Sequence, residues 1–362
     1  MGNSLGKLLT VTSFGESHGR GVGVVLDGCP AGLPVTVTEI EREASRRWPG
    51  QAGATARAEP DKVEILSGVF QGRTTGAPIC LLTWNRDVDS GAYRELVTMP
   101  RPGHADYTAR VRYGGFNDFR GGGRFSGRIT APLVMAGAIA RKLLGLKGME
   151  IMAHVTEIGG IKARPADIAA IREQAGQDPL RCADLEAAAR MLELISRTGQ
   201  AADSLGGVIE GVALNLPAGL GEPVFDNLDG ELAKALFAIP AVKGVEFGAG
   251  FAAAGMKGSE NNDPYAISGG KVVTLTNNAG GVLGGISSGM PLVVRVAVKP
   301  TPSIGREQPT VDLEKRENTV ITVRGRHDTC IVPRAVAVVE AMMALTISDF
   351  ALRAGIIPRV LT

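Results

Sequence analysis

Apolar residues in this chain come in short runs bounded by Gly, Pro and polar clusters, except at two long stretches that are apolar on nearly every side. Leu8 to Phe14 and Gly23 to Asp27 are rich in Val and Leu, which predicts strands, and Val63 to Val69 and Ala77 to Trp84 predict two more. Val37 to Arg47 reads as a short helix stopped by Trp48-Pro49-Gly50. Further strands are expected at Ile151 to Val155, Gly207 to Leu216, Lys271 to Thr276, Leu292 to Val298 and Thr319 to Val323. Pro165 to Arg197 suggests two amphipathic helices around Gln177-Asp178-Pro179, and Glu231 to Phe237 a third. The two all-round apolar stretches are Ala131 to Leu144 and Pro333 to Gly355. Thr130 is the expected N-cap of the first, Pro132 sits in its first turn, and Gly145 ends it. A helix without a polar face must be buried. Residues 85–123 show little apolar periodicity; such a long irregular stretch usually carries function.

Strands come in runs and do not alternate one for one with helices. That disfavours a doubly wound parallel sheet and favours an α+β fold of antiparallel sheets with packed helices. With no linker-like tract and no short-period repeat, residues 1–362 read as a single domain.

Composition narrows the function. Lys plus Arg number 39 against 37 Asp plus Glu, so a globally basic nucleic-acid binder is excluded, and 4% aromatic residues leave little for base stacking. The apolar stretch Ala335 to Leu352 carries Glu340 and Asp349, which a bilayer centre would penalise. The chain starts without an apolar signal region, so no membrane partner and a cytoplasmic location are expected. Cys29, Cys80, Cys182 and Cys330 are far apart and read as reduced thiols, with no metal site.

Chemistry concentrates in glycine-rich loops. Gly15-Glu16-Ser17-His18-Gly19 follows a strand; Ser17 and His18 are adjacent, so His18 reads as an acid or donor and Ser17 as a ligand or relay hydroxyl. In Arg101-Pro102-Gly103-His104-Ala105-Asp106 the Pro-Gly turn brings Arg101 beside His104, an anion-holding guanidinium next to a proton donor. Arg120-Gly121-Gly122-Gly123-Arg124-Phe125-Ser126-Gly127-Arg128 runs into a helix start and forms an anion cradle, though not a Walker A loop. From Arg101 to Lys142 there are eight Lys and Arg against two Asp and no Glu, a local excess of six on a chain whose net charge is +2. Arg324-Gly325-Arg326-His327-Asp328, Lys299-Pro300-Thr301-Pro302-Ser303 and the glycine-rich Gly280 to Gly289 complete the set. His154, in a strand, reads as structural. Together these loops point to a small polyanionic substrate and to loss or transfer of phosphate. Two other readings use the same residues: a flavin-independent phosphomonoesterase built on His18 and His104, and a non-enzymatic polyanion- or RNA-binding module.

The motifs, in this order, resemble chorismate synthase. They are Phe14 to Gly19, Arg101 to Tyr107, Arg120 to Arg124, Pro217 to Pro223, Ala241 to Glu246, Gly280 to Gly289 and Arg326-His327-Asp328. The resemblance implies helices sandwiched between antiparallel sheets, a homotetramer, and a 1,4-elimination of phosphate from 5-enolpyruvylshikimate 3-phosphate that requires reduced FMN, with NADPH as one candidate reductant. It implies that His18 holds a proton near the flavin, that His104 protonates the leaving phosphate, and that Asp328 assists hydrogen removal, with Ser17 and Ser126 as relays. Arg47, Arg101, Arg128 and Arg326 would bind the substrate's acidic groups. Arg124, Phe125, Ser126, Ala241, Gly284, Lys299, Pro300, Thr301, Pro302, Ser303 and Arg326 would line the FMN site. The chain departs from the family pattern in three places. Gln51 to Arg57 lacks one of the usual cations, and Phe125 and Pro302 stand where Ser is common.

Overall fold

The computed structural model describes residues 2–47, 61–86, 91–93, 95–323, 325 and 327–362. The expected stop at Trp48-Pro49-Gly50, Arg57, Arg324 and the candidate ligand Arg326 lie outside the described residues.

Two five-stranded sheets enclose a layer of helices. The first contains β1 (Ser4–Leu5), β2 (Thr10–Gly15), β3 (Gly21–Asp27), β4 (Glu64–Ser67) and β5 (Ile79–Trp84), in the order β1-β2-β3-β5-β4. The second contains β6 (Glu150–Ile158), β7 (Ile161–Lys162), β8 (Gly207–Leu214), β9 (Val242–Phe247) and β10 (Leu292–Val298), in the order β9-β10-β8-β6-β7. Every pairing in both is antiparallel. β10 shows the period of a half-covered strand: Leu292, Val294, Val296 and Val298 are buried, and the residues between them are partly open.

The main helices are α1 (Val37–Ser45), α2 (Asp106–Tyr113), α3 (Thr130–Gly145), α4 (Leu185–Gln200), α5 (Leu228–Phe237) and α6 (Val332–Arg353). α3 lies on β3 and β5, α6 lies on β6 and β8, and the two helices pack on each other, so the layers run sheet, helices, sheet. This is the α+β fold of antiparallel sheets with packed helices expected from the patterning, in the sandwich that the resemblance implies. α1 opens with a capping box: Thr36 Oγ1 accepts from the Glu39 N–H at 3.3 Å, and Glu39 Oε2 accepts from the Thr36 N–H at 3.1 Å.

Two expectations need correction. α3 begins at Thr130 itself, and the Thr130 hydroxyl donates back to the Gly127 carbonyl at 2.7 Å instead of capping. The cap belongs to Ser126, which accepts from the Arg128 N–H at the start of a preceding 3₁₀ turn. The stretch expected to be irregular also contains α2, which buries only Ala109 and so leaves no apolar stripe to read.

α6 is long and apolar enough to cross a membrane, yet it is a core helix in which only Arg334 and Arg353 are not buried. Its two carboxylates act as staples. Glu340 Oε1 accepts from the Ala153 N–H at 3.0 Å, and Oε2 pairs with Arg46 and, at 3.2 Å, with Arg141. Asp349 Oδ1 accepts the N–H groups of Lys7, Leu8 and Leu9 at 3.1, 2.6 and 2.9 Å, and so fixes the segment that enters β2. His154 is buried on β6 with its Nε2 3.2 Å from Glu210 across the sheet, away from the loops that carry chemistry. All four cysteines are free, and burial pushes the thiols of Cys29 and Cys330 up to about 12.

α3 and α6 approach closely at Gly137, where a Cβ would stand 2.3 Å from Ala341 Cβ. Ala is the better helix former by about 1 kcal/mol. The clash outweighs that gain, and Gly137→Ala is expected to lower stability by about 2 kcal/mol. The midpoint of urea unfolding measures this, and an unchanged or raised midpoint would show that the helices part freely.

Candidate active site

The loop between β2 and β3 carries Ser17 and His18, both buried. Asn85, just past β5, clamps it: the amide Nδ2 donates to the carbonyls of Glu16 and Gly19 at 3.0 and 2.9 Å, while Oδ1 accepts from Arg128 Nε at 2.9 Å. The Ser17 N–H donates to the Gly123 carbonyl at 3.2 Å, tying this loop to the glycine run. Gly121 and Gly122 are both left-handed, with φ of 59° and 81°. A Cβ on Gly121 would stand 2.2 Å from His18 Cδ2, and one on Gly122 would stand 3.2 Å from His104 Nε2. Consecutive glycines thus abut the two imidazoles, and both rings line one cleft of about 610 Å³. That volume lies within the range of cofactor and substrate pockets. Tyr93 connects the two loops: its ring meets the edge of His18 at 5.1 Å, and the Arg101 guanidinium lies 5.9 Å from its centroid.

The Pro102-Gly103 turn closes as expected, with the His104 N–H donating to the Arg101 carbonyl at 3.3 Å. Asp106, at the start of α2, gathers both side chains. Its Oδ2 accepts from Arg101 Nε at 2.8 Å, and its Oδ1 lies 2.7 Å from both Arg101 Nη2 and His104 Nδ1. Arg101 Nη1 donates to Ser303 Oγ at 3.1 Å. Most Arg101 donors are therefore spent inside the protein. Burial opposes ionisation of Asp106, but hydrogen bonds from Arg101 and His104 and their charges hold it well below the usual carboxylate range.

A second group of cations surrounds Asp61 and Asp328. Arg128 Nη1 pairs with Asp61, Arg47 Nη1 lies 3.6 Å from it, and Arg334 pairs with Asp328 while donating to the Arg47 carbonyl at 3.0 Å. Burial, then the charge of Arg334, push the Arg47 guanidinium down to about 9, against the pull of Asp61. The folded state therefore carries the cost of this charge at pH values below about 9, and the cost fades as pH rises past that point. An anion in the cleft relieves it. Arg47→Met is expected to stabilise the ligand-free protein by about 1 kcal/mol and to shrink the rise in melting temperature caused by inorganic phosphate. Equal phosphate shifts in both proteins would count against an anion site at Arg47.

On another wall the backbone of Ala241, with φ of 73°, accepts the Lys299 N–H at 2.9 Å, and Lys299 Nζ reaches the Gly103 carbonyl. Burial, then the nearby charge of Lys243, lower the Lys299 pKa. Two adjacent cations, with the hydroxyls of Thr301 and Ser303, suit a phosphate group. Thr301 Oγ1 donates to the Asp328 carbonyl at 2.7 Å, joining this loop to the Asp328 loop. Arg124, Phe125, Ser126 and Pro302 also line the cleft, although Arg124 spends its donors on Asn3, Ser13 and Gly15.

The cleft thus gathers Ser17, His18, Arg47, Arg101, His104, Arg128, Ala241, Lys299 and Asp328. Pro300 is not on its wall and packs toward Gly206. Gly284 also lies elsewhere, in the turn between Val282–Leu283 and Ile286–Ser287. The neighbouring Gly285 carbonyl accepts from Leu228 at the start of α5, whereas Phe237 at the end of α5 reaches the cleft, a separation of about 15 Å for a ten-residue helix. Sequence reasoning overlooked Asp61, Asn85, Tyr93, Lys243 and Arg334. Arg334 had a signal: a cation in the first turn of a helix opposes the dipole, and so needs a reason to be there.

The whole-chain comparisons agree with one another. The family model described as chorismate synthase matches residues 9–352. Chorismate synthase of Dehalococcoides mccartyi is 59% identical over 362 residues, covering 100% of both chains. That of Methanosarcina acetivorans is 54% identical over 99% of each. A solved structure titled "Crystal Structure of Chorismate Synthase" superposes with a TM-score of 0.76 at 34% identity, covering 96% of this chain and 93% of that one. On sequence over its full length and on fold alike, the chain belongs to the chorismate synthase family.

Proposed function

We propose that the chain is a carbon–oxygen lyase that converts 5-enolpyruvylshikimate 3-phosphate to chorismate, the last step of the shikimate pathway, by anti-1,4-elimination of phosphate with reduced FMN. One observation carries the reading: His18 and His104 meet consecutive glycines in a cleft whose cations fall into two groups, an arginine cluster and a lysine pair. Two anionic ligands suit such a cleft. Neither the phosphomonoesterase nor the polyanion-binding alternative gains support from the relatives.

The substrate loses phosphate and one ring proton, with no net oxidation or reduction. Reduced FMN, when bound, supplies electron density that helps phosphate leave a ring whose C–H is too weakly acidic for a side chain alone. The protein's own groups do the rest. Arg47, Arg128 and Arg334 hold the carboxylates and phosphate of the substrate, and Arg326 belongs with them by resemblance. His104 gives a proton from Nε2 to the departing phosphate oxygen. His18 holds a proton beside the cofactor, Asp328 assists removal of the ring hydrogen, and the hydroxyls of Ser17 and Ser126 relay protons. Lys243, Lys299, Thr301 and Ser303 hold the phosphate of the cofactor.

The reading extends to a cytoplasmic homotetramer. Phe116, Phe225 and Phe251 are 95%, 93% and 83% exposed and are available to meet neighbouring copies. The test is an oxygen-free assay that follows chorismate absorbance and phosphate release, first with NADPH and FMN, then with dithionite-reduced FMN. Chorismate formed only with reduced flavin is the expected result, and the NADPH arm shows whether the protein reduces its own cofactor. Phosphate released without chorismate, or without flavin, would overturn the proposal in favour of hydrolysis.

A further inference from the structure

His104 and Arg101 share one buried anchor, and the anchor dictates what each can present to the cleft. Asp106 has a side chain only 8% exposed, and it accepts four hydrogen bonds: from the Arg101 backbone N–H at 3.0 Å, from Arg101 Nε and Nη2, and from His104 Nδ1. An ionised carboxylate only accepts, so at 2.7 Å the proton between Asp106 and His104 sits on Nδ1. Arg101 Nη2 also lies 3.0 Å from Nδ1, but it cannot donate to a nitrogen that carries hydrogen, and it already donates to Asp106 Oδ1 at 2.7 Å. In the neutral ring Nε2 then carries no hydrogen; Arg101 Nη2 lies 3.4 Å from it, and on its Gly122 side the missing side chain keeps the approach clear.

We propose that Asp106 is a positioning residue that fixes the tautomer and ring plane of His104, and with the same carboxylate holds the Arg101 guanidinium beside it. The catalytic half of this proposal rests on the proton-donor role of His104 given above; the tautomer half does not. In the neutral ring the proton stays on Nδ1 and Nε2 exchanges with the cleft, so a proton taken up at Nε2 is the one delivered to a leaving oxygen. An amide at position 106 can turn its NH₂ toward Nδ1 and reverse that arrangement, leaving the wrong nitrogen facing the substrate.

The test combines spectroscopy and kinetics on the full chain. In protein labelled with ¹⁵N-histidine, with the His104 signals identified by their loss in His104→Ala, the neutral ring of wild type should show hydrogen on Nδ1. In Asp106→Asn it should move wholly or partly to Nε2. Asp106→Asn should lose roughly 10²-fold in kcat with a much smaller change in KM, and His104→Ala/Asp106→Asn should be no slower than His104→Ala alone. An Nε2–H tautomer in wild type would overturn the proposal without any variant having to fold. So would an unchanged tautomer in Asp106→Asn, or independent, multiplying losses in the double variant. If His104→Ala turns over at the wild-type rate, the acid role of His104 fails, and the tautomer measurements still decide for or against Asp106.

Discussion

His104→Ala is expected to slow anaerobic turnover with reduced FMN roughly 10²-fold or more, the scale for losing a general acid, and His18→Ala to do the same. The expectation comes from placement more than from residue type. A histidine in a glycine-rich loop is often no more than a brace. Here each ring abuts a glycine at which a Cβ would press on the imidazole, at 2.2 Å for His18 and 3.2 Å for His104, so the backbone has been cleared for the rings. The loss in His104→Ala should fall on kcat, because the neighbouring Arg101 keeps its hold on Asp106 and Ser303 and the pocket wall remains. Steady-state assays with dithionite-reduced FMN, from substrate far below to far above KM, measure it. A wild-type rate in either variant would remove that residue from the mechanism.

Asp328→Asn is expected to impair turnover about as severely, roughly 10²-fold, while leaving substrate affinity within a few-fold of wild type. Asp328 sits between the Thr301 hydroxyl, which donates to its backbone carbonyl, and Arg334, which pairs with its side chain. The amide keeps the size and an oxygen acceptor for Arg334, so the loop should hold its shape and the arginines their places. What disappears is a group able to take a proton. Isothermal titration of the substrate into the FMN-free protein, set beside the turnover assay, separates the two effects. Collapse of affinity would make Asp328 a support for the arginine cluster instead.

The parts of this molecule that were legible in the sequence share a physical cause. β10 was read residue for residue from Leu292 to Val298, because a run rich in Val, bounded by Pro291 and Pro300, marks a strand even where its open face is mostly apolar. α3 and α6 were legible because a helix at the centre of a sandwich has no polar side to disguise it. α2 was missed because it turns almost nothing toward the core. At the site the same rule holds at smaller scale. Arg101 and His104 lie on one turn, so chain proximity announced their meeting, while the part of Asp106 that joins them went unread. Asp61, Asn85 and Tyr93 are brought in by tertiary packing alone, and an aspartate or asparagine in a loop looks like any turn residue. Gly284 marks a different limit: a bare glycine takes its role from whatever approaches it, and among the described residues of one subunit nothing from the cleft does.

The order in which the polypeptide leaves the ribosome gives the central position of α6 a further meaning. The strands of both sheets are translated before α6, which with α3 separates them, so the inward faces of β6 and β8 wait without the cover of α6 until residues beyond Val332 emerge. Those apolar faces stay open to neighbours from the end of β8 at Leu214 until α6 arrives at Val332, so the second sheet gains its cover only when the chain is almost fully made.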